Sequence, residues 1–133
     1  MTIDDFNTKS KGCFPEVLGI KVTAIKGNRL QAEMPIQQAF LAPNTYLHAG
    51  SIVTFADTIA GYSTILNLPE KAKSFTTIEL KSNFLRTLQE GILECESEPE
   101  HMGRSTHIWR IKVLDKATKK VLAILCCTQM ILY

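Results

Sequence analysis

Hydrophobic and polar positions change period along the chain, and each change marks an element. FPEVLGIKVTAI (14–25) ends in a β-branched run, and Gly27-Asn28 turn it into RLQAEMPI, where Leu30, Ala32 and Met34 alternate with Gln31 and Glu33. That alternation around a tight turn predicts a β-hairpin. The residues before it read as a loose lead-in (1–13) or a short helix. Ala42-Pro43-Asn44 marks a loop. From Gly50 to about Leu66 no proline interrupts, and the apolar spacing suits a helix. Ile52, Val53, Phe55, Ile59 and Ile65 go most of the way round that helix, so other structure must wrap it. Its small residues, among them Ala56, Ala60 and Gly61, would let a sheet approach closely.

Beyond LPEKAK the period falls to two. In FTTIELKSNFLR, Ile78, Leu80 and Phe84 share one face and Glu79, Lys81 and Asn83 the other. GILECESE alternates likewise. PEHMG (99–103) reads as a turn, and His107, Trp109, Ile111 and Val113 then form one face of STHIWRIKVLD. DKATKK is a second turn, and VLAILCCTQMILY is the nearly continuous apolar run of a strand covered on both faces. Consecutive strands joined by short turns are expected to pair antiparallel. The economical fold is α+β, an antiparallel sheet curled around one long helix.

Composition narrows the function classes. A chain of 133 residues with 45% hydrophobic and 21% charged residues is expected to form one domain, 1–133, with a sizeable core. The net charge of +2 is mixed in sign and forms no basic stripe, which argues against a nucleic-acid partner. No run is long and apolar enough to span a membrane, and the polar start MTIDDFNTKSKG has no signal-peptide core. Cys13, Cys95, Cys126 and Cys127 form no C-x-x-C and no His pair stands at finger spacing, so no metal is expected. Reduced core thiols in a cytoplasm are the plain reading.

One residue resists a structural explanation. Asp57 has Val53, Thr54, Ala60 and Gly61 as helical neighbours, so no cation stands at pairing distance. It lies too deep in the helix to cap it. A buried unpaired carboxylate is costly or takes up a proton. Asp57 therefore meets water at an edge or a partner from a strand, or it is a functional acid. His48 precedes it by nine residues, about half a turn out of phase, so one helix cannot aim both at one point. Either the two are unrelated or one site is assembled from two chains. His48-Ala49-Gly50 also presents free backbone N–H groups at the positive end of the helix dipole, which can polarise a carbonyl oxygen.

L-H-A-G-S-I-V-T-F-A-D-T-I-A-G-Y (47–62) resembles the L-H-G-G-x-x-x-x-L-A-D/E-[ST] helix of hotdog-fold acyl-CoA thioesterases. It is most similar to the branch of the phenylacetate-degradation thioesterases and the Arthrobacter-type 4-hydroxybenzoyl-CoA thioesterase. T-T-I-E-L-K-S-N-F-L-R and H-M-G-R-S-T resemble that family's third strand and coenzyme A turn, and the likeness runs from Val17 to Leu132. It implies a long central helix wrapped by a curled antiparallel sheet of five or six strands. It implies a homodimer as the minimal unit, usually paired into a homotetramer, with each active site at a subunit interface.

By the same resemblance Asp57 would be the nucleophile or general base. The Gly50 amide, helped by His48, would hold the oxyanion, and Thr77 would position water. Arg86, Arg104 and Ser105 would grip coenzyme A phosphates, with His101 and Gly103 shaping that turn. No cofactor is implied, since coenzyme A is part of the substrate. Two departures stand out: Ala49 replaces the first glycine of H-G-G, and Ala42 stands where many members carry Asn or Gln, leaving Asn44 as the nearest amide. The reaction implied is hydrolysis of an acyl- or aroyl-CoA thioester. The alternative is a non-catalytic acyl-CoA binding or sensing protein on the same fold, which would keep Arg86 and Arg104 without needing Asp57.

Overall fold

The computed structural model describes residues 1–133. Helix α1 (Ile3–Lys9) opens the chain, followed by α2 (Phe14–Val17) and the hairpin β1 (Lys21–Lys26) and β2 (Arg29–Pro35). A 3-10 turn at Gln38–Phe40 leads to the long helix α3 (Ala49–Leu66). Strands β3 (Ser74–Phe84), β4 (Ile92–Met102), β5 (Thr106–Asp115) and β6 (Val121–Leu132) complete one six-stranded sheet in the order β1-β2-β4-β5-β6-β3. Every pairing is antiparallel. This is the hotdog arrangement, one long helix held in a curved sheet.

The lead-in is not loose. Thr2 and Asp5 form a reciprocal capping box at the start of α1, and Phe6 is fully buried with its ring 5.3 Å from that of Tyr62. Helix α3 is apolar nearly all round because the sheet takes its inner side: Ile52, Phe55, Ala56, Ile59 and Ala60 join Leu30, Met34, Leu93, Trp109, Ile111 and Leu125 in one core. Polar stitches fix its rotation. Ser63 donates to Ser97 Oγ at 2.7 Å, Ser97 Oγ accepts from the Leu30 amide at 2.9 Å, and Trp109 Nε1 donates to Thr64 Oγ1 at 2.8 Å. Trp109 is therefore core. Gly61 lets Phe75 close on the helix, since a Cβ there would stand 3.0 Å from the Phe75 ring.

Three expectations change. β3 does not pair with β4. The link over 85–91 carries the chain away: the Leu85 and Arg86 amides bond to Leu122 O, Leu88 O accepts from Leu47 N, and Gly91 O accepts from Ile36 N. β4 thus lands beside β2, and β3 lines the far edge beside β6. The turn read at 99–103 falls instead at 103–105, because β4 runs on to Met102 and absorbs Pro99 beside a bulge between Pro99 and His101. Strict alternation in β3 also fails. A bulge between Thr77 and Glu79 leaves Ile78 unpaired, so Phe75 and Thr77 face the helix before it and Leu80 and Ser82 after it. Ile78 and Phe84 are exposed.

Candidate active site

Asp57 projects from the flank of α3 towards the β3 end of the sheet and is half-buried. Thr77 donates to its Oδ1 at 2.9 Å, and the Cys127 thiol donates to the same oxygen at 3.6 Å. None of the five ion pairs in the chain includes Asp57. Two neutral donors therefore hold one oxygen, and Oδ2 makes no hydrogen bond within the chain. Burial, then the Asp57 charge, pushes the Cys127 thiol up to about 12. The thiol keeps its proton, which makes it a donor to the carboxylate and not a nucleophile.

The β3 bulge makes this possible by aiming Thr77 inwards, directly opposite Gln129 on β6. Gln129 is fully buried, with Oε1 placed 2.9 Å from Thr77 Oγ1 and Nε2 3.2 Å from Cys127 Sγ. On the next strand of the same row stands His107, buried, with Nδ1 unpartnered. Burial, then the neighbouring His101, lowers its pKa, favouring the uncharged imidazole. Gln129 and Cys127 were missed from sequence. The available signal was a glutamine inside an apolar run, because a buried amide requires partners.

His48 is the N-cap of α3: its Nδ1 accepts from the Gly50 amide at 2.8 Å. That bond fixes the neutral tautomer, so the proton sits on Nε2. It also engages the Gly50 N–H with the ring. Beside them opens a cleft of about 480 Å³ whose walls include Phe14, Val17, Leu18, Phe40 and Leu41 together with His48, Gly50 and Thr54. Phe14 and Val17 on α2 are 61% and 69% exposed, an uncovered apolar lip at the helix start. Of the apolar residues nearest the motif, Phe55 is core and Tyr62 packs on Phe6, whereas Phe40 reaches the cleft.

The remaining expected residues fall into separate groups. Asn44 sits on an exposed loop tip with Oδ1 accepting from the Tyr46 amide at 3.1 Å, and it does not line the cleft. His101, Gly103, Arg104 and Ser105 lie together at the β4–β5 turn. The His101 ring lies so close over Gly103 that a Cβ there would be 2.5 Å from Nε2. The Arg104 guanidinium stacks 5.8 Å from the Tyr133 ring, and a cavity of about 330 Å³ there is lined by Asn67, Gly103, Arg104 and His107. Arg86 is elsewhere, donating to Val121 O at 3.0 Å. Val121 opens β6 and Tyr133 follows its last residue, about 40 Å apart at strand rise, so one chain cannot bring Arg86 and Arg104 to one phosphate group. Nor does one chain unite Asp57 with His48, which are separated along α3 by about 13 Å. No three His, Cys, Asp or Glu side chains gather where they could hold a metal ion together.

Known proteins resemble this chain throughout. The 1,4-dihydroxy-2-naphthoyl-CoA hydrolase of Listeria monocytogenes is 28% identical, over 85% of this chain and 90% of the relative. The proofreading thioesterase EntH of Cronobacter turicensis is 28% identical, over 96% and 89%. The crystal structure of a mutant thioesterase from Pseudomonas aeruginosa superposes with a TM-score of 0.93 at 26% identity, covering 99% of this chain and 94% of that one. No helix is long and apolar enough to cross a membrane. The family model of the thioesterase superfamily matches residues 44–122, more than half of the sequence, and the chain belongs to that superfamily.

Proposed function

We propose that the protein hydrolyses an acyl- or aroyl-CoA thioester to the free acid and coenzyme A. Asp57 is the nucleophile or general base, and the site lies at an interface between two copies of the chain. One observation carries the reading: a carboxylate with no cation, held through one oxygen by Thr77 and Cys127, with its other oxygen free. As base, Oδ2 takes a proton from water while the water oxygen bonds to the thioester carbon. The oxyanion then collapses, the C–S bond breaks, and the thiolate leaves with the proton that Asp57 had taken. As nucleophile, Oδ2 bonds to the carbonyl carbon and expels the thiolate, and water cleaves the anhydride.

The helix start of the second copy supplies the electrophilic side. His48 presents its Nε2–H, and the Gly50 amide joins when the ring turns away from it. The apolar cleft beside them takes the acyl group, consistent with the phenylacetate and 4-hydroxybenzoyl branch. Arg104 with His101, Gly103 and Ser105 takes the coenzyme A phosphates from one chain, and Arg86 contributes from the other. Asn44 does not replace the amide absent at Ala42, because it lies on the exposed loop tip outside the cleft. The unit acts as one domain, as a homodimer or homotetramer, in the cytoplasm and without a cofactor.

The Gly50 amide is already occupied, which favours a second reading, an acyl-CoA binder that does not turn over. The separating experiment is a panel from acetyl- to benzoyl-CoA followed by free-thiol release, repeated with Asp57→Asn. Hydrolysis should fall by about 10²–10⁴-fold while coenzyme A binding persists. Retained turnover in Asp57→Asn overturns the role of Asp57, and no turnover across the panel by the wild type overturns the enzyme reading.

A further inference from the structure

Asp57 Oδ1, Thr77 Oγ1, the Gln129 amide and Cys127 Sγ form a closed ring of contacts, at 2.9, 2.9, 3.2 and 3.6 Å. Thr77 has one proton and two acceptors in that ring. If the amide oxygen faces Thr77, either Asp57 or the fully buried amide oxygen goes without the hydroxyl. An amide side chain occupies the same volume with its ends exchanged, so the hydrogen-bonding partners must choose the orientation. With NH₂ towards Thr77, the amide donates to Oγ1, the hydroxyl donates to Asp57, and the Cys127 thiol has Gln129 Oε1 or Asp57 as acceptor. The single Thr77 proton then has one acceptor, and the amide no longer competes for it. The hydroxyl also meets the ionised acceptor, which makes the stronger bond.

We propose that Gln129 is a positioning residue for Asp57: its amide N–H donates to Thr77 and thereby commits the single Thr77 proton to Asp57 Oδ1, leaving Oδ2 as the reacting oxygen. This rests on Asp57 being the reacting carboxylate. The bulge at Ile78 belongs to the device, because it places Thr77 opposite Gln129. The titratable groups facing the ring are Asp57 on α3, Cys127 on β6 and His107 on β5; β3 contributes only the Thr77 hydroxyl.

Gln129→Glu tests the direction of the bond. A protonated carboxyl at 129 still donates to Thr77. Once ionised it can only accept, and it takes the Thr77 proton from Asp57. Hydrolysis of benzoyl-CoA by Gln129→Glu should stay near the wild-type rate at low pH and fall about tenfold in kcat as pH rises. That descending limb should be absent from wild type and Gln129→Met, although His107 titrates in both, and absent again when Thr77→Val is added. A Gln129→Glu profile parallel to wild type, or a limb that survives Thr77→Val, overturns the proposal. If Gln129→Glu does not fold, the cycle of Gln129→Met with Thr77→Val decides. The loss in kcat from Gln129→Met should be severalfold with Thr77 present and under about twofold once Thr77 is valine; equal losses overturn the proposal. Asp57→Asn, run alongside, separates this outcome from the parent reading. Turnover in that variant sinks the reading itself, whereas a dead Asp57→Asn with an unshifted Gln129→Glu sinks only the role of Gln129.

Discussion

Cys127 carries the chemistry that the sequence hid best. Two adjacent cysteines in an apolar run look like inert core, and Cys127 is fully buried, yet its thiol is one of the donors that steady Asp57. Its ordinary pKa of 9.0 is raised to about 12 by burial first and by Asp57 second. Between pH 9 and 12 the folded chain keeps a proton that the unfolded chain has given up. Stability is therefore complete below about pH 9 and declines as pH climbs through that window. Buried Cys95, also raised, acts in the same direction. Thermal midpoints measured from pH 8 upwards should fall less steeply in Cys127→Ala than in wild type, and parallel slopes would show that the thiol is not held protonated. In the folded protein at pH 8 an alkylating reagent should reach exposed Cys13 and spare Cys127.

At the scale of elements, the start of α3 joins stability to chemistry. His48 caps the helix through the same nitrogen that engages the Gly50 amide. His48→Ala should lower stability to urea by about 1 kcal/mol. Gly50→Ala would place a Cβ 2.9 Å from His48 Nδ1 and push the ring away. It should therefore destabilise even though alanine outranks glycine inside a helix. An unchanged or raised urea midpoint in Gly50→Ala would show that the ring does not cap the helix. This element was legible: an apolar pattern running round a proline-free segment has few solutions, and Asp57 stood out because no helical neighbour could neutralise it. The β3 bulge was not legible. Thr76, Thr77, Ile78 and Glu79 each suit either face of a strand, so alternation reads through the bulge without a break. The inward turn of Thr77, which completes the site, came only from pairing with β6.

For the whole molecule, short turns disclosed three hairpins, β1–β2, β4–β5 and β5–β6, but the link over 85–91 fits a hairpin and a crossover equally well. The position of β3 therefore had to come from the fold, and it matters most for assembly. β3 is an eleven-residue edge strand with only β6 beside it; it carries exposed Ile78 and Phe84 and is followed by exposed Leu85. A long edge with unpaired backbone groups and exposed apolar side chains invites a second copy. His48 caps the start of α3 and Asp57 projects from its middle, so a two-fold arrangement would let each chain supply what the other lacks. Inactive Asp57→Asn protein and inactive His48→Ala protein, unfolded together and refolded as a mixture, should regain activity. Random pairing makes about half the dimers mixed, each with one intact site, so about a quarter of the wild-type sites return. Sites built within single chains would return nothing, because every chain in the mixture lacks one of the two residues.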